Sequence, residues 1–252
     1  MKIVFSFDDG RIDFIDSSKI LSKYGLVGTF HITTGFVDGS FETDAFGIGR
    51  KALTIQQLQE MDKEGMEISS HGDKHIMDTK DFNESLRKLK EWNLVKNGVG
   101  FSIPNSKYSM EELEKFISEN KESLLYVRGG RSPKCYTLLS KINYVLYKFL
   151  KLQCAYNYFN KYNLNDSLDV DKVIYSTVIT KNIKSKNLIN FINKHKQENK
   201  VLVLMFHSVV DNPSNKWEYS KTEFEKICEY VSSCKDIENG TLSSLLLQYL
   251  LN

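Results

Sequence analysis

Val201-Leu202-Val203-Leu204-Met205-Phe206-His207 is the stretch that decides how this chain folds. Six consecutive apolar residues leave no polar face, so the run reads as a strand covered on both sides, as in a parallel sheet flanked by helices. His207 is then delivered to the end of the sheet. Working outward, further short β-branched and aromatic runs fall at 2–6, 27–32, 66–69, 99–103, 124–127 and 173–179. Helix-period patterns lie near 12–24, 54–64, 82–96, 110–121, 186–198 and 222–233, and Ser109/Glu112 and Ser220/Glu223 read as capping boxes. Strands alternating with helices predict an α/β fold, either barrel-like or an open parallel sheet, with chemistry at the C-terminal strand ends.

The 252 residues are 41% hydrophobic, with 34 basic and 32 acidic side chains. This is the composition of a globular domain, and it argues against nucleic acid as a bulk partner. A single domain over 1–252 is expected, interrupted by an inserted helical segment around 134–172. In that segment Leu138, Ile142, Val145, Leu146 and Phe149 share one face at helical spacing, flanked by Lys141, Lys148 and Lys151. The simpler expectation is a helix covering the core. The sharper one is an interfacial helix making peripheral contact with a membrane. Two carboxylates by residue 9 do not fit a secretory leader, and four scattered cysteines fit a reducing compartment, so a cytoplasmic location is expected. Oligomeric state is left open.

Three polar clusters each follow a predicted strand. Ser6-Phe7-Asp8-Asp9-Gly10 places two carboxylates at a glycine turn, where a cation would relieve their repulsion. Alone, such a turn is also common at strand ends. His71-Gly72-Asp73-Lys74-His75 holds two imidazoles four residues apart, able to chelate one metal. His207 is the third. Together Asp9, His71 and His75 supply one oxygen and two nitrogens and leave a position open, the arrangement of a catalytic zinc site. Zinc is the default for these donors, although cobalt, nickel, iron and manganese also fit. Asp8 stands beside the ligands to take a proton from water, and His207 can protonate a departing nitrogen. His31 ends the second strand and is placed in the substrate pocket, while His195 is expected in solvent.

These three motifs, in this order and each after a strand, resemble the first, second and fifth motifs of the NodB-type polysaccharide deacetylases (carbohydrate esterase family 4) over nearly the whole chain. The resemblance implies a distorted (β/α) barrel of about seven parallel strands. It implies Asp8 as catalytic base, Asp9, His71 and His75 as metal ligands, and His207 as acid. It further implies removal of N-acetyl groups from an amino sugar in a saccharide or a saccharide precursor. Some relatives act instead on lipid-linked formamides or small cyclic amides, so a deformylase or cyclic amidase is the alternative, followed by a silent saccharide-binding domain.

The third motif's arginine has two candidates in Tyr126-Val127-Arg128-Gly129-Gly130-Arg131-Ser132-Pro133. Arg128 ends the strand and is favoured as the partner of Asp8, with Arg131 assigned to substrate. The fourth motif's aspartate and tryptophan are missing from 173–180, which leaves His207 without its usual support and points to altered specificity. Gly72 replaces the customary serine or threonine. A cytoplasmic enzyme cannot reach a finished wall polymer, so the expected substrate is a nucleotide- or lipid-linked N-acetyl sugar. Segments 35–50 and 136–162 are the expected substrate loops.

Overall fold

Alternation along Lys2–Asp9 (β1) divides its side chains between two cores. Ile3, Phe5 and Phe7 join the larger cluster between sheet and helices, whereas Val4 joins a second cluster with Tyr126, Val201, Val203, Leu242, Leu245 and Leu246. In the first, Phe7 stacks on Phe30 at 4.5 Å and on Phe206 at 5.4 Å. Each such ring contributes about 1.5–3 kcal/mol by leaving water. In the second, the helix Leu242–Leu251 lays its buried leucines across the end of the sheet where the strands begin. The chemistry is thereby left to the opposite end.

The computed structural model describes residues 1–44, 46, 50–169 and 171–251. Gly28–Ile32 (β2), Glu67–Ser70 (β3), Val99–Ser102 (β4) and Leu124–Arg128 (β5) follow β1 in parallel order. The strand Val201–Phe206 pairs with the other side of β1, and its bounds are those read from the sequence. The predicted strand at 173–179 is two short pieces. Val173–Ile174 pairs with β5, and Thr177–Val178 pairs with Val201–Phe206, so this segment bridges the two flanks and nearly closes a barrel. Between the pieces Ser176 donates its N–H to Gly130 and its hydroxyl to Gly129, both at 2.8 Å. The result is the mostly parallel, nearly closed barrel with surrounding helices that the motifs imply.

Two local expectations are corrected. The Ser109/Glu112 capping box forms, but Ser220 makes no side-chain cap, because Glu223 accepts instead from the Ser185 N–H of another helix at 2.8 Å. The helix expected at 82–96 spans Thr79–Glu91, started by Asp78 and stopped before Asn93, whose φ is 57°.

Residues 134–172 hold the helices Leu138–Leu150 and Gln153–Asn160. The expectation that the stripe covers the core is overturned for Leu138, Ile142, Val145 and Phe149, which are exposed, whereas Leu146 packs against the core as expected. Ser140 and Tyr147 face the protein, and Tyr144 meets Phe159, which turns the stripe outward. Leu138 is 77% exposed and Phe149 71%. Among the described residues no helix is long and apolar enough to cross a membrane.

Candidate active site

Asp8 and Asp9 share one site because the strand breaks its own alternation. Asp9 has φ +97° and Gly10 +96°, so the turn begins one residue earlier than the glycine alone implies. His75 is also left-handed, at +60°. Such conformations in non-glycine residues cost about 1–3 kcal/mol each and persist where their surroundings fix them. For His75 the fixing group is Asp81, whose carboxylate accepts from the N–H groups of Asp73, Lys74 and Ile76 at 2.9, 2.8 and 3.3 Å. Gly72 belongs to this arrangement. Its φ is +83°, and a Cβ there would lie 2.3 Å from Asp81 Oδ2, so this loop has no room for serine or threonine.

Asp9, His71 and His75 present one donor atom each, all within 4.8 Å of one another. Asp9 Oδ1 lies 3.6 Å from His71 Nε2 and 4.0 Å from His75 Nε2, and the two Nε2 atoms are 3.1 Å apart. The outer atoms are anchored. His71 Nδ1 donates to the Ser102 carbonyl at 2.8 Å, which leaves Nε2 as the ligand atom, and Arg11 holds Asp9 Oδ2 at 2.7 Å. Burial lowers the pKa of His71 to about 4 and of His75 to about 3, so both offer lone pairs at neutral pH. Burial pushes Asp9 up to about 7 despite Arg11, a cost that a bound cation would remove. The donor set therefore fits a divalent metal of the zinc type.

Asp8 is set differently. The Arg128 guanidinium hydrogen-bonds Asp8 and the Ser102 hydroxyl from the end of β5. Burial raises the Asp8 pKa, but the Arg128 charge, with the neighbouring imidazoles, outweighs it and holds the carboxyl well below the usual range. Arg131 does not reach Asp8. It lines the cavity, its guanidinium 5.1 Å from the Phe159 ring and 5.8 Å from that of Tyr144.

His31 is a correction. It is fully buried, 3.6 Å from Asp8 Oδ1, and its Nε2 meets the Tyr126 hydroxyl at 3.2 Å. The β1–β2 register sets it opposite Asp8, beneath the site and out of reach of substrate. His195 is likewise not free in solvent, with Nδ1 on Glu198 and its ring 4.7 Å from Phe191.

A cavity of about 340 Å³ opens over these groups, lined by Asp8, Asp9, His71, His75, Arg131 and His207. Trp217 packs on His207 at 4.6 Å between ring centroids. Among the described residues His207 Nδ1 has no hydrogen-bond partner, the physical counterpart of the missing fourth-motif aspartate, and burial lowers this histidine to about 4. Phe46 and Tyr136 also line the cavity, so both expected substrate loops contribute; positions 45 and 47–49 of the first lie outside the described residues. Sequence reasoning missed Arg11, Ser102, Asp81, Lys216 and Trp217. Only Arg11 carried a signal, as a lone arginine two residues after the acidic pair.

Comparison with known proteins bears on the family and the fold. The family model described as polysaccharide deacetylase matches residues 1–138. No curated protein matches the chain. A family 4 acetyl xylan esterase from Clostridium thermocellum, solved with a cobalt ion, shares the fold at TM-score 0.54 and 14% identity, covering 98% of this chain and 91% of that one. A CE4 family pseudoenzyme from Bacillus anthracis matches at TM-score 0.52 and 11% identity, covering 97% of this chain and 65% of that one. The Streptococcus pyogenes deacetylase PplD, solved with acetate, matches over 51% of this chain at 22% identity and TM-score 0.43, and the match spans only 56% of that protein. The motifs, the barrel that brings them together and the match over more than half the residues agree, and the chain belongs to the polysaccharide deacetylase family of hydrolases.

Proposed function

We propose that this protein is a metal-dependent deacetylase that removes the N-acetyl group of an amino sugar in a saccharide or saccharide precursor. The observation that carries the reading is Asp8, kept ionised by Arg128 beside the Asp9–His71–His75 donors. A binding module has no use for a base there. When bound, a divalent cation, zinc by preference, supplies a Lewis acid that polarises the amide carbonyl and acidifies water. Asp8 Oδ accepts the proton of the attacking water. Arg128 fixes that carboxylate, and Arg131 and Trp217 wall the sugar. An amide requires a proton on its leaving nitrogen, and His207, neutral at rest, relays to the amine the proton that Asp8 has taken from water.

The substrate we favour is an N-acetyl sugar carried on a nucleotide or lipid, in the cytoplasm. Four free thiols support a reducing compartment. Peripheral contact with an anionic membrane is part of the reading, since residues 134–165 hold five lysines and no acid alongside the outward stripe. Incubation of metal-loaded protein with N-acetyl and N-formyl amino sugars tests it: acetate release supports a deacetylase, and formate release alone replaces it with a deformylase.

A further inference from the structure

A second cavity of about 250 Å³ adjoins the catalytic one and shares Arg131 and Lys216 with it. Lys148 and Lys151, from the end of the helix Leu138–Leu150, complete a ring of four cations. None of the four makes an ion pair among the described residues, although other lysines of this chain do, such as Lys88 with Asp38 and Asp73. Partial burial and the neighbouring Arg131 and Lys148 push the Lys216 pKa down, the mark of positive charge gathered without an acid to balance it. Tyr156 lines the same cavity. It is 1% exposed, and its hydroxyl has no hydrogen-bond partner, a donor held out of water with nothing to receive it.

We infer that this cavity is the seat of a phosphoryl group on the substrate, most simply a diphosphate, bound by Arg131, Lys148, Lys151, Lys216 and the Tyr156 hydroxyl. Four cations exceed what one carboxylate can neutralise, whereas a diphosphate spreads two or more negative charges over many acceptor oxygens. The shared Arg131 and Lys216 set the phosphoryl seat next to the scissile amide. One molecule can then occupy both cavities, with its sugar over the metal donors. The inference deepens the proposed function and rests on it for the identity of the sugar, but not for the binding itself.

Isothermal titration of the metal-loaded protein with inorganic pyrophosphate tests the site without turnover. Wild type binds, more weakly as salt rises. The double variant Lys148→Glu/Lys151→Glu alters two exposed side chains, so the fold is retained. It loses about tenfold or more in affinity at unchanged metal content and thermal midpoint. Tyr156→Phe weakens binding by a smaller factor. Uridine diphosphate and farnesyl diphosphate, run in parallel, name the carrier: tighter binding of the first indicates a nucleotide and of the second a lipid, and either supports the site. No binding by wild type overturns the inference. Undiminished binding by the double variant also overturns it, since pyrophosphate would then sit on the metal. Failure of the deacetylase reading appears separately, as absence of acetate release with pyrophosphate binding intact.

Discussion

Arg128 and Asp8, 120 residues apart in sequence, form a buried ion pair between the ends of β5 and β1. Removing one partner of such a pair strands the other charge and costs about 3–5 kcal/mol. Arg128→Met is therefore expected to lower unfolding free energy by that order, measured in urea, with Asp8→Asn/Arg128→Met losing less than the sum of the singles. In the single variant the Asp8 pKa rises, so the acid limb of the pH–rate profile moves to higher pH. An unmoved limb would contradict the pairing.

Metal-free stability should rise with pH between about 4 and 6.5. His71, His75 and His207 are lowered by burial to about 4, 3 and 4, so the unfolded chain binds more protons in this window. Their contribution is present above about 6.5 and lost as pH falls. Asp9, raised by burial to about 7, works the other way as pH rises from 3.8. Burial also holds His31 well below its ordinary value, and the four imidazoles together outweigh the carboxyls that burial raises, Asp9 with Asp13 and Asp81. Denaturant midpoints at pH 4.5, 5.5 and 6.5 check the sign, and His75→Gln should flatten the slope.

His207 has no partner at Nδ1, so its role should show in the leaving group. His207→Gln is expected to slow amide hydrolysis by about 10²–10⁴-fold. Hydrolysis of p-nitrophenyl acetate, whose leaving group needs no proton, should fall far less. Equal losses would remove His207 from proton transfer.

The stripe containing Ile142 and Phe149 is exposed and basic at its edges. Sedimentation with anionic vesicles should bring down wild type and leave Ile142→Glu/Phe149→Glu in solution, with neutral vesicles binding neither. Wild type remaining soluble would remove the membrane from the account.

Much of this was legible in the sequence, for physical reasons. The unbroken run 201–206, short and with two valines, reads as a doubly covered strand, and the structure places it at those residues. The capping box at Ser109 is local chemistry and formed as read. Ser220 failed because a distant N–H, that of Ser185, claimed Glu223. Leu138, Ile142, Val145 and Phe149 do share one face, with Leu146 at its buried edge, but periodicity says nothing about whether such a face meets core or solvent. His31 stands one residue before the end of its strand, yet strand register, not strand position, decides that it lies under Asp8. Asp81 was invisible because its function is to accept three backbone N–H bonds from the loop just before it, at residues 73, 74 and 76, a turn that no motif spacing announces.

The central claim is that neighbouring aspartates divide the work, one gripping a cation and the other moving a proton. Elemental analysis of purified Asp9→Ala and Asp8→Asn, read beside acetate release, tests it most directly. Asp9→Ala should emerge without metal and inactive, and Asp8→Asn with one equivalent of metal and no turnover. Full metal occupancy in Asp9→Ala, or retained hydrolysis by Asp8→Asn, would contradict it.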